Sequence, residues 1–298
     1  MKLGNTRTAS GVATDDRGGG SGGGGTREPA PRPAARTAPR RQVPGFVLSW
    51  GLFLILLGLW QLIVRAFDVS IVLVPAPSNV FRSLVDGLES GFLLEHMWVT
   101  MKEILIGFGL AIGMALASAG LIIQFRIVDK ALLPILVLIQ TIPKVAMAPL
   151  LLMWFGIGMT SKVLTIALIA YFPLLVNTIL GLRSAEPEQI DMLRSFGAGE
   201  FQIMRRLRLP SALPHIFAGL DVAVILSVTG AVVAEFVGAT AGLGYTIQAT
   251  NFNMDVARTF AVVVLLSIIG MTLHAVVVTA NRWLVFWAPS GKEHARDL

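Results

Sequence analysis

Apolar runs divided by short charged interruptions dominate this chain. Charge-free stretches long enough to cross about 30 Å of hydrocarbon, at roughly 1.5 Å per residue, occupy residues 46–64, 104–125, 163–182 and 259–280. A further run at 131–161 is interrupted only by Lys144, and another at 216–237 carries Asp221 and Glu235. The pattern predicts an all-α integral membrane protein with six spans.

Between the spans the periodicity changes. The segment "APSNVFRSLVDGL" has Ser78 as a candidate N-cap and Phe81, Leu84, Val85 and Leu88 at helical spacing, which predicts an amphipathic helix lying on the membrane surface. Within the second span, Gly109, Gly113 and Ala117 recur every four residues, a pattern that lets helices approach closely. Pro134, Pro143 and Pro149 in the third span and Pro173 in the fourth each remove a backbone donor and predict kinks.

One long polar island, "IDMLRSFGAGEFQIMRRLRLP", separates the fourth and fifth spans. Ser184 or Glu186 can cap a helix whose first turn takes Pro187. Ile190, Leu193 and Phe196 follow at three-residue steps until Gly197 offers a stop. A second helical piece over 200–207 is expected to end near Leu209-Pro210, because proline disfavours helix in the residue before it. Two short helices joined at a glycine make a knuckle that exposes Met192 and Phe196. On residues alone, that knuckle serves equally as a docking surface or as an interfacial loop lying on lipid.

Composition agrees with a membrane protein: 54% of the 298 residues are hydrophobic and 14% charged, with mean hydropathy +0.73. The net charge of +6 belongs mostly to residues 1–45, which hold eight Lys/Arg against three Asp/Glu. This Gly/Pro/Arg-rich tail lacks apolar periodicity and reads as disordered. Contact with anionic lipid or nucleic acid is one role for its arginines, and orienting the first span is the preferred one, so no nucleic-acid partner is assigned. With both termini cytoplasmic, 18 of the 24 Lys/Arg fall on the cytoplasmic side and five on the other, the asymmetry of the positive-inside rule. Residues 286–298 form a short cytoplasmic tail in this reading.

Several chemistries find no support. There is no cysteine for disulfides or thiolate metal sites, and no G-x-x-x-x-G-K-[ST] phosphate loop. His96, His215, His274 and His294 have no paired metal-ligand spacing. No catalytic residue and no metal ligand is assigned.

The island also carries a spacing: Asp191-Met192-Leu193, three residues, Gly197, nine residues, then Leu207-x-Leu209-Pro210. This resembles the E-A-A-x3-G-x9-I-x-L-P loop of permease subunits in binding-protein-dependent ABC importers. Asp replaces Glu, Met-Leu replaces Ala-Ala and Leu replaces Ile. "VPAPSNV", "ESGFLLEHMWVT", "IPKVAMAPLLLMWFGIGMTSK", "YFPLLVNTILGLRS", "LPSALPHIFAGL" and "AEFVGATAGLGYTI" are similar to successive blocks of the nitrate, taurine and alkanesulfonate branch. The resemblance covers about residues 70–285 and implies a type I importer permease domain over 46–285. Its coupling loop, about 183–213, would sit in a groove of an ATP-binding subunit. Gly197 would permit the turn, Asp191 would face a basic residue and Phe196 would be an apolar plug. Arg194, Arg205 and Arg206 would either pair with the ATPase or hold the loop at the headgroups. The implied partners are a second permease copy, two ATPases that bind ATP and Mg themselves, an extracytoplasmic solute-binding protein and membrane lipid. The implied localisation is the cell inner membrane. The solute would be a small anion such as a sulfonate, taurine or nitrate, with a neutral heteroaromatic precursor as the other possibility within this class.

For the pathway itself, charges at membrane depth are costly and face a cavity or a partner. Lys144 and Glu235 are expected either to line the path and an outer gate beside Gly242-Leu243-Gly244, or to brace the helices as an ion pair. Gln140, Thr141 and Asn177 are candidate cavity-lining groups, with helix-to-helix hydrogen bonding as the other role. Asp221 departs from the Arg that usually follows Gly-Leu in the branch. An ion-gradient-driven transporter is the competing class, and would require inverted repeats and a cluster of carboxylates at membrane depth.

Overall fold

The computed structural model describes residues 45–124 and 138–287, with side chains from residue 50 onward; the expected tails, Phe125, Lys130 and Pro134 lie outside the described residues. The chain divides into two compact units, Met1–Ser49 and Trp50–Leu298. The first contributes only the helical backbone of residues 45–49.

All regular structure among the described residues is helical. The elements are α1 (Gly45–Ala66), α2 (Pro77–Glu89), α3 (Phe92–Gln124), α4 (Met147–Phe155), α5 (Met159–Leu182), α6 (Pro187–Ser195), α7 (Glu200–Ile203), α8 (Leu209–Gly238), α9 (Leu243–Phe252) and α10 (Val256–Leu284). Four are long and apolar enough to cross a membrane: α3, α5, the continuous Glu200–Gly238 rod that contains α8, and α10. The described apolar parts of the expected first and third spans are shorter, Trp50–Ala66 and Lys144–Phe155.

The third span is broken. Residues 138–141 are helical, Pro143 is extended, a single 3-10 turn covers Lys144–Ala146, and α4 then resumes until Gly156 leaves the helix at φ +77°. Non-helical backbone at membrane depth is tolerated where protein or a water-filled cavity surrounds it. The break therefore identifies a protein-lined or wet region.

The core is built from α3, α5, α8 and α10. Ala111, Ala115, Ala119, Leu174, Leu175 and Ala223 are buried in one cluster, and Leu93, Ile104, Ile166, Leu243 and Val262 in another. The small-residue stripe of α3 is not the expected one. Gly109 and Gly113 have open space where a Cβ would stand, whereas Gly107 lies against Ile166, with a built Cβ 2.6 Å from its side chain. Ala111, Ala115 and Ala119 continue that line, each fully buried. Two four-residue stripes run along this helix on different faces, and spacing alone cannot say which one meets α5.

Two further expectations need correction, the Ser78 cap and the stop at Pro210. Ser78 is not the cap of α2. Ala76 holds that position with Pro77 in the first turn, while the Ser78 N–H donates to Gln61 Oε1 at 3.1 Å. Leu84 and Leu88 of α2 pack into the core while Phe81 is exposed, so the helix is amphipathic as expected and docks by its leucine face. The second island helix also does not stop at Pro210. A π turn over Met204–Arg208 lets the Leu209 N–H reach the Met204 carbonyl five residues back. Leu209 stays helical at φ −66°, ψ −47°, and the extra residue of the π turn absorbs the donor that Pro210 lacks.

Candidate functional site

Three sites lie along this bundle. The first is the knuckle. Glu186 is the N-cap position of α6, Pro187 follows it, and the helix ends at Ser195. Gly197 turns at φ +79° with nothing within 4 Å of a built Cβ, so its glycine is required by backbone conformation and not by crowding. Arg194 fastens the two arms: Nη2 and Nε donate to Glu200 Oε1 at 2.8 and 3.1 Å, and Nη1 lies 3.4 Å from Asp191 Oδ1. Asp191 thus has a basic neighbour within its own chain, and Arg194 acts as an internal staple. Met192 and Phe196 are exposed, Phe196 at 81%, and Phe201 adds a third exposed ring at 76%. Leu193, Leu207 and Pro210 are half-buried and Leu209 is 42% exposed. Ile203, which periodicity did not single out, is completely buried and anchors α7.

The second site surrounds the broken span. Lys144 Nζ lies 5.2 Å from the Phe172 ring centroid, a cation–π contact. A cavity of ≈ 200 Å³ is lined by Gln140, Lys144, Phe172, Pro173, Val176 and Asn177. Gln140 and Thr141 are exposed in the isolated chain. Thr141 Oγ1 donates to the Leu138 carbonyl at 2.7 Å, and Asn177 Nδ2 donates to the Pro173 carbonyl at 2.8 Å. Four of the five residues considered for the pathway therefore share one region.

Glu235 is not among them, and it does not pair with Lys144. It is fully buried at the end of α8 farthest from the knuckle. There its carboxylate accepts from Thr100 Oγ1 at 2.7 Å, from the Gly244 N–H, and from the Tyr245 N–H at 3.3 Å. Thr100 Oγ1 in turn accepts the Leu243 N–H at 2.8 Å, and His96 Nδ1 accepts the Gly242 N–H at 3.0 Å. Four successive backbone donors, 242 to 245, are thus held by side chains of α3 and α8. Gly242 is obligatory here, because its φ is +121° and any Cβ would strike the Glu235 carboxylate.

Nearby, Lys162 Nζ and Glu103 Oε1 form a buried ion pair at 2.6 Å. His96, Thr100 and Glu103 stand at i, i+4 and i+7 on one face of α3. That polar ladder was legible as helical spacing, but its partners lie 59 to 146 residues away. Glu103, Lys162 and Glu235 form a buried charged cluster that inspection of neighbouring positions could not reveal.

Comparison with known proteins follows the same lines. The family described as the binding-protein-dependent transport system inner membrane component matches residues 107–287. A riboflavin transport system permease protein of Chloroflexus aurantiacus is 37% identical over 258 residues, 87% of this chain and 96% of that protein. A putative aliphatic sulfonates transport permease protein of Bacillus subtilis is 29% identical over 258 residues, 86% of this chain and 93% of that one. In structure, the chain is similar to an inward-facing conformation of the MetNI methionine ABC transporter. The TM-score is 0.58 at 20% identity, covering 64% of this chain and 95% of that one, which establishes the shared fold. An apolar helical bundle with a stapled knuckle and a broken span is thereby accounted for: the chain belongs to the binding-protein-dependent transport family and is an inner-membrane permease subunit of an ABC importer.

Proposed function

We propose that two copies of this permease enclose a translocation path, that two cytoplasmic ATPases dock on the knuckles, and that an extracytoplasmic binding protein delivers solute at the opposite face. ATP and Mg are held by the ATPases, and hydrolysis is theirs. Both termini, including the 1–45 and 286–298 tails, lie in the cytoplasm, in keeping with the charge asymmetry. The observation that carries the reading is the knuckle itself. Met192 and Phe196 project as an apolar pair from a turn stapled by Arg194, and its second arm runs without interruption into α8. Force applied at the pair reaches a membrane-spanning rod. Glu235 with the 242–245 loop is the outer gate, and Lys144, Gln140, Thr141 and Asn177 line the path.

For the solute, the first reading is a small anion such as a sulfonate, taurine or nitrate. Lys144 beside two amides offers such a group a positive charge and hydrogen-bond donors. A second reading is a neutral heteroaromatic compound. It is favoured by Asp221, a carboxyl group within the 216–237 apolar run, and by the similarity to a riboflavin permease. The test is ATP-dependent uptake into proteoliposomes holding the permease, its ATPase and its binding protein, with labelled taurine, nitrate and riboflavin offered in parallel. Uptake of any of them without the ATPase, driven by an ion gradient, would overturn the importer mechanism.

A further inference from the structure

Asp221 on α8 and His274 on α10 touch through Oδ1 and Nδ1. Their side chains are 38% and 44% exposed in the isolated chain, yet both stand within the apolar runs, Asp221 five residues inside 216–237 and His274 six residues inside 259–280, roughly 8–9 Å from the nearer end. A carboxylate and an imidazole at that depth do not face lipid. Protein or a wet cavity faces them. The contact is also poorly aligned: neither Oδ1 nor Nδ1 has a hydrogen bond of acceptable geometry. Oδ2 and Nε2 are the remaining polar atoms of the pair.

Beside this pair a groove of ≈ 410 Å³ runs between α8 and α10, within the range typical of small-molecule sites. Its walls are apolar, with Ile225, Val228, Leu266 and Met271, and His274 is part of its lining. The hydroxyls of Thr229 and Ser267 donate to carbonyls one turn back, at 3.4 and 2.9 Å, so their lone pairs remain to accept. Gly270 leaves the floor open, a built Cβ there meeting nothing closer than 3.8 Å.

We propose that this groove is a solute site on the path, and that it takes a flat heteroaromatic solute with ring N–H groups. The apolar walls receive the ring faces, Asp221 Oδ2 accepts a ring N–H, and His274 Nε2 meets the adjacent polar atom of the ring edge. A simple anion has no ring N–H to offer the carboxyl group and gains nothing from the apolar walls. The inference rests on the second reading of the solute and assigns the residues that would select it.

The chain contains no cysteine, which makes the test clean. In proteoliposomes of the complete importer, Asp221→Asn and the groove-filling Gly270→Leu are expected to raise the KM for riboflavin at least about tenfold, roughly 1.4 kcal/mol, at unchanged melting temperature. Asp221→Arg is expected to shift the riboflavin-to-taurine uptake ratio toward taurine. Equal riboflavin KM in wild type, Asp221→Asn and Gly270→Leu overturns the groove assignment while leaving the importer reading intact. Transport of taurine but not riboflavin by the wild-type complex removes the second reading and this inference with it. Ser267→Cys supplies a single thiol for a third arm: protection from maleimide by riboflavin supports the site, whereas equal labelling with and without riboflavin overturns it.

Discussion

At the scale of single residues, Glu235 is a fully buried carboxylate that organises a loop. Its carboxylate serves Thr100, Gly244 and Tyr245 in a site closed to solvent. Removing it leaves buried donors without acceptors, each costing about 1–3 kcal/mol. Glu235→Ala is therefore expected to lower stability by about 3 kcal/mol, read as an earlier thermal midpoint in detergent. Glu235→Gln, which keeps one acceptor, is expected to lose less than half of that. Gly242→Ala tests the same clamp from the other side. Its backbone strain alone is on the order of 1–3 kcal/mol, and the collision with Glu235 adds to it. A midpoint equal to wild type in Gly242→Ala would contradict the clamp geometry.

At the scale of elements, the seams between spans depend on glycines whose importance spacing could not rank. Gly219 of α8 lies against Asn177 and Leu174 of α5, with a built Cβ 2.8 Å from Asn177 Cβ. Gly109 of α3 faces open space. Gly219→Val is expected to destabilise the fold by about 1–3 kcal/mol through overpacking, while Gly109→Val leaves the single-chain fold unchanged; parallel thermal melts compare the two. Any effect of Gly109→Val on assembly, read by size-exclusion chromatography, would place that second stripe at a contact between copies. The π turn before Pro210 is an element-scale device too. It joins the knuckle to α8 as one rod, where the proline rule on its own predicts a break.

At the scale of the whole molecule, the proposed coupling requires the knuckle's shape to be held independently of the spans. Gly197 touches nothing that a side chain would displace, so Gly197→Val acts through conformation alone. A left-handed backbone costs an ordinary residue about 1–2 kcal/mol. The variant is expected to lower the thermal midpoint by no more than that strain, without the added loss that a steric collision brings, and to lose about tenfold in ATP-dependent uptake, the equivalent of about 1.4 kcal/mol. Wild-type uptake in Gly197→Val would separate the knuckle from the coupling of ATP hydrolysis to transport.

The sequence by itself determined the membrane class, the positions of the apolar runs and the knuckle's turn, because hydrophobic length and local glycine and proline chemistry act within a few residues. The spacing from Asp191 to Pro210 carried the family resemblance for the same reason. Only the tertiary structure decided which of two small-residue stripes on α3 is packed, and that Glu235 meets Thr100 and the 242–245 loop rather than Lys144. It likewise brought Lys162 onto Glu103 and His274 onto Asp221. The pairs Glu235–Thr100, Lys162–Glu103 and His274–Asp221 join residues 53 to 135 positions apart, and a buried charge carries no mark in the sequence of which partner will neutralise it.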